Sequence, residues 1–352
     1  MLKIKSSKII FSFSSLLFFT NCLININGTK QFSEYDQWVE YEGGNGPGNG
    51  KHIVFVTADQ EYRAEEGMPQ LAKILSKRHG FKCTVLFPID KKTGFIDPEE
   101  LNNIPGLESL DSADLMFLVT RRIELPDNQM KYIIDYTNSG KPIIGLRTAN
   151  HPFQYDKNTS SPYAKYSGPF GYTDESFSGG YGRQVFGDTW VDHYGHHGKE
   201  STRGLIAKGQ ENHPIVQGCE DIWGPTDVYE VGNLIGNSKP IIMGQVLSGM
   251  NPNDPPNEEK SLMPLAWTKT YLGETGNVSR IFFTTMGAAT DLESEGLRRL
   301  LVNASYWCLG LEDKILQRSN VDIIGTYNPT DFGFNNYKRG IYPKAHRIKK
   351  IN

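Results

Sequence analysis

Three of the chain's eight histidines, His193, His196 and His197, crowd into residues 187–198 beside Asp188, Trp190 and Asp192. Imidazoles exchange protons near neutral pH and are common ligands of divalent metals. The H-x-x-H-H spacing between glycines differs from the HExxH helix of metalloproteases. Three readings follow. The segment contacts a ligand, with Trp190 and Tyr194 as stacking surfaces; or His193, His196 and His197 hold Zn²⁺ or a similar ion; or it is a structural turn. The crowding favours the ligand-contacting loop.

Two further stretches carry usable groups. Residues 142–151 run as a short apolar strand into a turn bearing Arg147, Asn150 and His151. Residues 59–63 place Asp59, Glu61, Tyr62 and Arg63 directly after another apolar run. A carboxylate there suits a general base, or else a helix cap and a surface ion pair. No G-x-S-x-G nucleophile elbow occurs. Gly145-Leu146-Arg147-Thr148-Ala149 has the strand-to-turn pattern of one, but Arg147 fills the nucleophile slot and cannot attack a carbonyl. No glycine-rich phosphate loop follows the first strand.

The elements that must hold these groups alternate. Strands are expected over 52–57, 83–87 and 114–120, with a fourth opening the 142–151 stretch, and helices over 64–79 and 126–138 among them. After a long insertion over 152–199, strands return at 205–207, 241–246, 264–267 and 280–285, and a helix spans 293–308. Such βαβ alternation predicts a mostly parallel sheet, whose ligands sit beyond the carboxyl ends of the strands. All three candidate stretches would then meet at one edge.

The 352 residues suffice for a large core, and 38% hydrophobic with 22% charged residues fits a folded globular chain. A net charge of −3 gives no reason to expect a nucleic-acid partner. Lys3, Lys5 and Lys8 precede a short apolar run, the pattern of an export signal that is too short for a comfortable membrane span. Cys22 ends a stretch similar to a bacterial lipoprotein cleavage box, with Phe19 where Leu is usual and Asn21 where a small residue is usual. Lipidation and an ordinary export signal both remain open, so a periplasmic or membrane-anchored location is expected. Cys83, Cys219 and Cys308 are odd in number with no CxxC pair, which argues against a complete disulfide framework; Cys83, in an apolar run, and Cys308, in an expected helix, are read as buried thiols. The domain plan is a signal over 1–22, a flexible linker over 23–50, one α/β domain over 51–312, and an irregular basic tail over 313–352.

Residues 187–198, then His213-Pro214-Ile215-Val216-Gln217-Gly218, Pro264-Leu265-Ala266-Trp267 and 280–287, resemble the ThuA-like (trehalose utilisation) family across about 51–312. The resemblance implies a three-layer flavodoxin-like fold similar to class I glutamine amidotransferases, with helices on both faces. Their catalytic Cys would stand at Arg147, so glutaminase activity is not implied. Family members often carry His where this chain has Ala288. The resemblance implies a disaccharide or keto-sugar as small-molecule partner.

The expected function is therefore an exported sugar-processing or sugar-binding protein. Asp59, Glu61, His193 and His196 would be acid/base candidates and Arg147 an oxyanion stabiliser. Tyr62, Arg63, Asn150, His151, Asp188, Trp190 and His197 would be substrate contacts. No cofactor is expected, with a divalent metal as the second option. A non-catalytic carbohydrate-binding module and a metal-dependent hydrolase are the alternatives, and the oligomeric state stays open.

Overall fold

The computed structural model describes residues 37–348 apart from Phe170 and Tyr172, so the expected signal lies outside the described residues. The strands are β1 (Trp38–Tyr41), β2 (His52–Ala58), β3 (Lys82–Leu86), β4 (Leu115–Thr120), β5 (Ile143–Leu146), β6 (Thr202–Ile206), β7 (Trp223–Gly224), β8 (Lys239–Val246), β9 (Met263–Leu272) and β10 (Val278–Thr284). The α-helices are α1 (Ala64–His79), α2 (Asp127–Asn138) and α3 (Glu295–Cys308). All ten strands join one sheet in the order β1-β3-β2-β4-β5-β10-β9-β8-β6-β7.

Every residue of β2, β4 and β5 is buried, which explains why these strands read as unbroken apolar runs. Side chains of β2 alternate between two cores. Ile53 and Phe55 pack with α1 and α3, whereas Val54 and Val56 pack with α2. Helices therefore cover both faces.

The expectation of a mostly parallel sheet needs correction. The β3-β2-β4-β5-β10 block is parallel. The β9-β8-β6-β7 side and β1 are antiparallel. The cause is connection length: only residues 273–277 separate β9 from β10, a hairpin distance that cannot return a chain to a parallel neighbour. The molecule is a mixed α/β fold.

The flexible linker is corrected too, where it is described. Trp38–Tyr41 is a strand paired with β3. The glycines after it pack closely rather than swing: a Cβ on Gly43 would stand 2.4 Å from the Gly80 carbonyl oxygen, and Gly48 N donates to His79 O at 2.8 Å. Glycine is selected there for close backbone approach.

The 313–348 segment is irregular but pinned down. Tyr327 Oη donates to Ala289 O at 2.6 Å, Ile96 N to Ile341 O at 2.8 Å and Gly333 N to Glu61 O at 2.7 Å. Lys338, expected in a solvated basic run, donates to Glu66 at 2.8 Å.

Candidate functional site

The turn after β2 is built around Asp59. Its Oδ1 accepts from Glu61 N at 2.8 Å and Tyr62 N at 3.0 Å, and its Oδ2 accepts from Thr148 Oγ1 at 2.6 Å. Asp59 is buried, and burial raises its carboxyl despite those donors. It thus ties the β2 turn to the β5 turn, the capping role rather than that of an exposed base. Arg63, in the left-handed region at φ 58°, is buried and lies 3.7 Å from Glu65. Its Nη2 donates to Gln60 O, and its guanidinium lies 5.7 Å from the Tyr337 ring centroid.

Arg147, at the end of β5 with φ 44°, is completely buried. Its Nη1 donates to Asp227 O at 2.9 Å and Thr285 O at 2.8 Å; Nη2 donates to Tyr62 Oη at 3.0 Å and Asp227 Oδ1 at 3.2 Å. Its guanidinium lies 4.0 Å from the Tyr62 ring centroid and 4.3 Å from that of Tyr229. An arginine so enclosed cannot meet a substrate oxyanion. Its placement corrects that expected role: Arg147 orders Asp227 and the two tyrosines.

Asp227 organises the histidines. Its Oδ2 lies 2.7 Å from His193 Nδ1 and its Oδ1 2.9 Å from His197 Nδ1. An ionised carboxylate only accepts, so both Nδ1 atoms carry hydrogen. His193 is left with Nε2 as its basic nitrogen. His197 Nε2 stands 3.3 Å from Glu61 Oε1, so both of its nitrogens face carboxylates. These two hydrogen bonds outweigh burial and raise His197 to about 9. The two rings are 4.4 Å apart, and His197 is the one that the carboxylates on both sides hold as a cation. Burial alone would raise Asp227, but Arg147 and both histidines hold it well below the ordinary carboxylate range. Glu61 is also lowered: burial is outweighed by the His197 hydrogen bond and by Arg121 and Arg147. His196 is exposed; its backbone N–H donates to Glu200 at 2.7 Å, and it lies outside the pair.

A cavity of about 320 Å³ opens over these groups. Glu61, Tyr62, His151, Trp190, His193 and His197 line it, together with Arg121, Arg122, Tyr229, Gly333 and Phe334. Asp59, Arg63, Arg147, Asn150, Asp188 and His196 are not in its lining. Asn150 Oδ1 sits 2.7 Å from His151 Nδ1, and burial, then Arg121 and Arg122, holds His151 neutral. That hydrogen bond leaves His151 Nε2 as an acceptor. Gly182 locks the inserted loop against this turn, since a Cβ there would meet the Asn150 carbonyl oxygen at 1.8 Å.

Arg121 and Arg122, directly after β4, were not among the expected site residues, and neither were Asp227, Tyr229 and Phe334. The doublet at a strand's carboxyl end was a usable signal. Asp227 and Tyr229 lie in an irregular stretch with no motif, and the tail residues are distant in sequence.

The carboxylate and imidazole donors of His193, His197 and Asp227 fall within 4.8 Å of one another, a set with the chemistry of a divalent-ion site. Arg147 works against a cation at Asp227, since it already occupies Oδ1. Glu61 is the single carboxylate in the cavity lining, so the facing carboxylate pair of ordinary glycoside hydrolysis is missing. No serine, threonine or cysteine lines it either.

The fold resembles a solved structure named as a ThuA-like protein from Parabacteroides merdae, with 17% identity, 81% of this chain and 98% of that one covered, and a TM-score of 0.46. A second, named as a ThuA-like protein from Bacteroides uniformis, matches at 14% identity over 75% of this chain and 93% of that one, with a TM-score of 0.44. Both bear the family name that the sequence motifs suggested. No protein-family model and no curated protein matches the chain. Overlap at this level leaves the function to be argued from the site itself.

Proposed function

We propose that the protein acts on a keto-sugar by proton transfer next to its carbonyl, without a covalent nucleophile. The observation that carries this reading is Asp227 gripping Nδ1 of both His193 and His197. Asp227 presents one histidine as a base and keeps the other charged. His193 Nε2 takes the proton from the carbon beside the carbonyl. The C–H electron pair forms the enolate double bond, and the negative charge moves to oxygen. Arg121, Arg122 and the His197 imidazolium are the cationic groups in the lining available to stabilise it. Where a glycosidic oxygen leaves in a following step, His197 supplies its proton. Tyr229 and Trp190 offer apolar faces to a sugar ring.

The test is deuterium exchange. A 3-keto-disaccharide incubated in D₂O with the wild-type protein should gain deuterium beside its carbonyl, read by mass spectrometry. His193→Asn should slow this by at least about 100-fold. No exchange above buffer, with the sugar bound, would make the protein a binding module.

A second reading draws on the same geometry: a divalent ion held by the histidine pair, with Asp227 behind them fixing each ring. Equimolar zinc in protein purified without chelator supports it. A metal-free preparation that still catalyses exchange removes it.

The wider reading is of an exported ThuA-like protein with a flavodoxin-like, amidotransferase-related core. It is supported by the basic and apolar start before Cys22 and by the Arg147 elbow. Mass analysis of the mature N-terminus tests export and lipidation together.

A further inference from the structure

Where α1 meets the 313–348 segment there is a separate cavity of about 230 Å³. From α1 it is lined by Glu65, Glu66 and Lys73, and from the tail by Tyr327, Tyr337 and Ile341 among others. It shares no lining residue with the cavity over the histidines, and the proposed reaction makes no use of it.

The two acids in this lining differ. Glu66 is satisfied: its Oε1 accepts from Thr330 Oγ1 at 2.7 Å, and its Oε2 from Thr330 N at 3.0 Å and Lys338 Nζ at 2.8 Å. Glu65 is 7% exposed, yet neither of its carboxylate oxygens finds a hydrogen-bond donor in good geometry. Arg63 Nε stands 3.7 Å from Oε1, beyond hydrogen-bond reach. A buried carboxyl left so is costly, and a donor brought to it removes that cost. Lys73 has the complementary need. Among the described residues no hydrogen bond or ion pair holds its ammonium, and burial lowers it with no acid offsetting the shift. Positions 65 and 73 lie about 12 Å apart along the axis of an α-helix, and the two charges form no ion pair with each other.

We propose that this cavity binds a small zwitterion, a free α-amino acid with a short side chain, whose ammonium donates to Glu65 and whose carboxylate accepts from Lys73. Both charges of such a ligand sit within a few atoms of each other, so one small molecule answers both groups. The volume lies below the roughly 300–1,000 Å³ common for drug-sized ligands, which leaves room for few further atoms. Burial pushes the Glu65 carboxyl up to about 8, opposed in part by the Arg63 charge; the arriving ammonium supplies the charge that ionises it. The site stands apart from the reading of the histidine cavity.

Calorimetry on the full chain tests it, with glycine, L-alanine and L-serine compared against ethylamine and acetate, which carry one charge each. At least one amino acid should bind about 10-fold or more tighter than either single-charge probe. Glu65→Gln and Lys73→Met should each weaken that binding by about 10-fold or more. Lys73→Met changes a half-buried position and decides the matter should Glu65→Gln fail to fold. Three results overturn the site: no amino acid binds the wild-type protein, binding is unchanged in Lys73→Met, or ethylamine or acetate binds as tightly as every amino acid.

Discussion

Nη2 of Arg147 lies 3.2 Å from Oδ1 of Asp227, and neither side chain reaches solvent. The same guanidinium satisfies the Asp227 and Thr285 carbonyls and the Tyr62 hydroxyl. Removing one member of a buried pair strands the other charge, at a cost of about 3–5 kcal/mol. Arg147→Met is expected to lose that much in urea denaturation. Adding Asp227→Leu should recover part of it, since both charges are then gone. A loss below about 1 kcal/mol in the single variant would mean that Asp227 finds another partner.

His193 and His196 are separated in role by their surroundings. His193 is held by Asp227 and lines the cavity, while His196 is exposed outside it. His193→Asn should reduce the deuterium-exchange rate by about 100- to 10,000-fold with little change in Tm. His196→Asn should leave the rate within about twofold, as a surface substitution away from the site. Equal effects of the two substitutions would remove the Asp227-oriented base from the mechanism.

Local sequence made the framework legible, because β2, β4 and β5 are buried on both faces and therefore write themselves as apolar runs. It also located three of the walls, at 59–63, 147–151 and 188–198. Roles within those walls were harder to read. Asp59 and Arg147 look like exposed chemistry in the sequence, yet each is spent on holding the turns, Asp59 through Thr148 and two backbone amides. Asp227 was illegible because its importance comes from pairing with residues 30 and 34 positions earlier. The glycine-rich stretch after β1 misled for a related reason: its composition suits a flexible tether, but the glycines serve close backbone approach to Gly80 and Phe81.

The tail forms part of the site. The Phe332 ring lies 5.3 Å from that of His197 and 5.7 Å from that of Tyr62. Aromatic pairs of this kind contribute about 0.5–1.5 kcal/mol beyond area burial. Phe332→Ala should therefore weaken sugar binding by roughly 2- to 13-fold in calorimetry, through loosened His197 and Tyr62. An unchanged Kd would show that the tail covers the site without shaping it.

Asp188 is buried 1% exposed, and neither carboxylate oxygen finds a hydrogen-bond donor in good geometry. Burial pushes its carboxyl up to about 7, opposed only in part by the Thr189 and Gly232 backbone and the Arg183 charge. The unfolded chain releases this proton near its ordinary value of 3.8. Between those values the folded state holds a proton that the unfolded state has lost, so stability falls as pH rises, by up to about 1.4 kcal/mol per pH unit. Above about 7 the charged form is present in both states, and the loss is complete. Asp188→Asn cannot ionise, so whatever constant cost its amide carries, it lacks this slope. Thermal unfolding of both proteins from pH 4 to pH 8 should show the variant gaining on wild type with every step up to about 7, then running parallel. Curves parallel throughout would mean that Asp188 has an ordinary carboxylate value in the folded protein, and that a donor reaches it there.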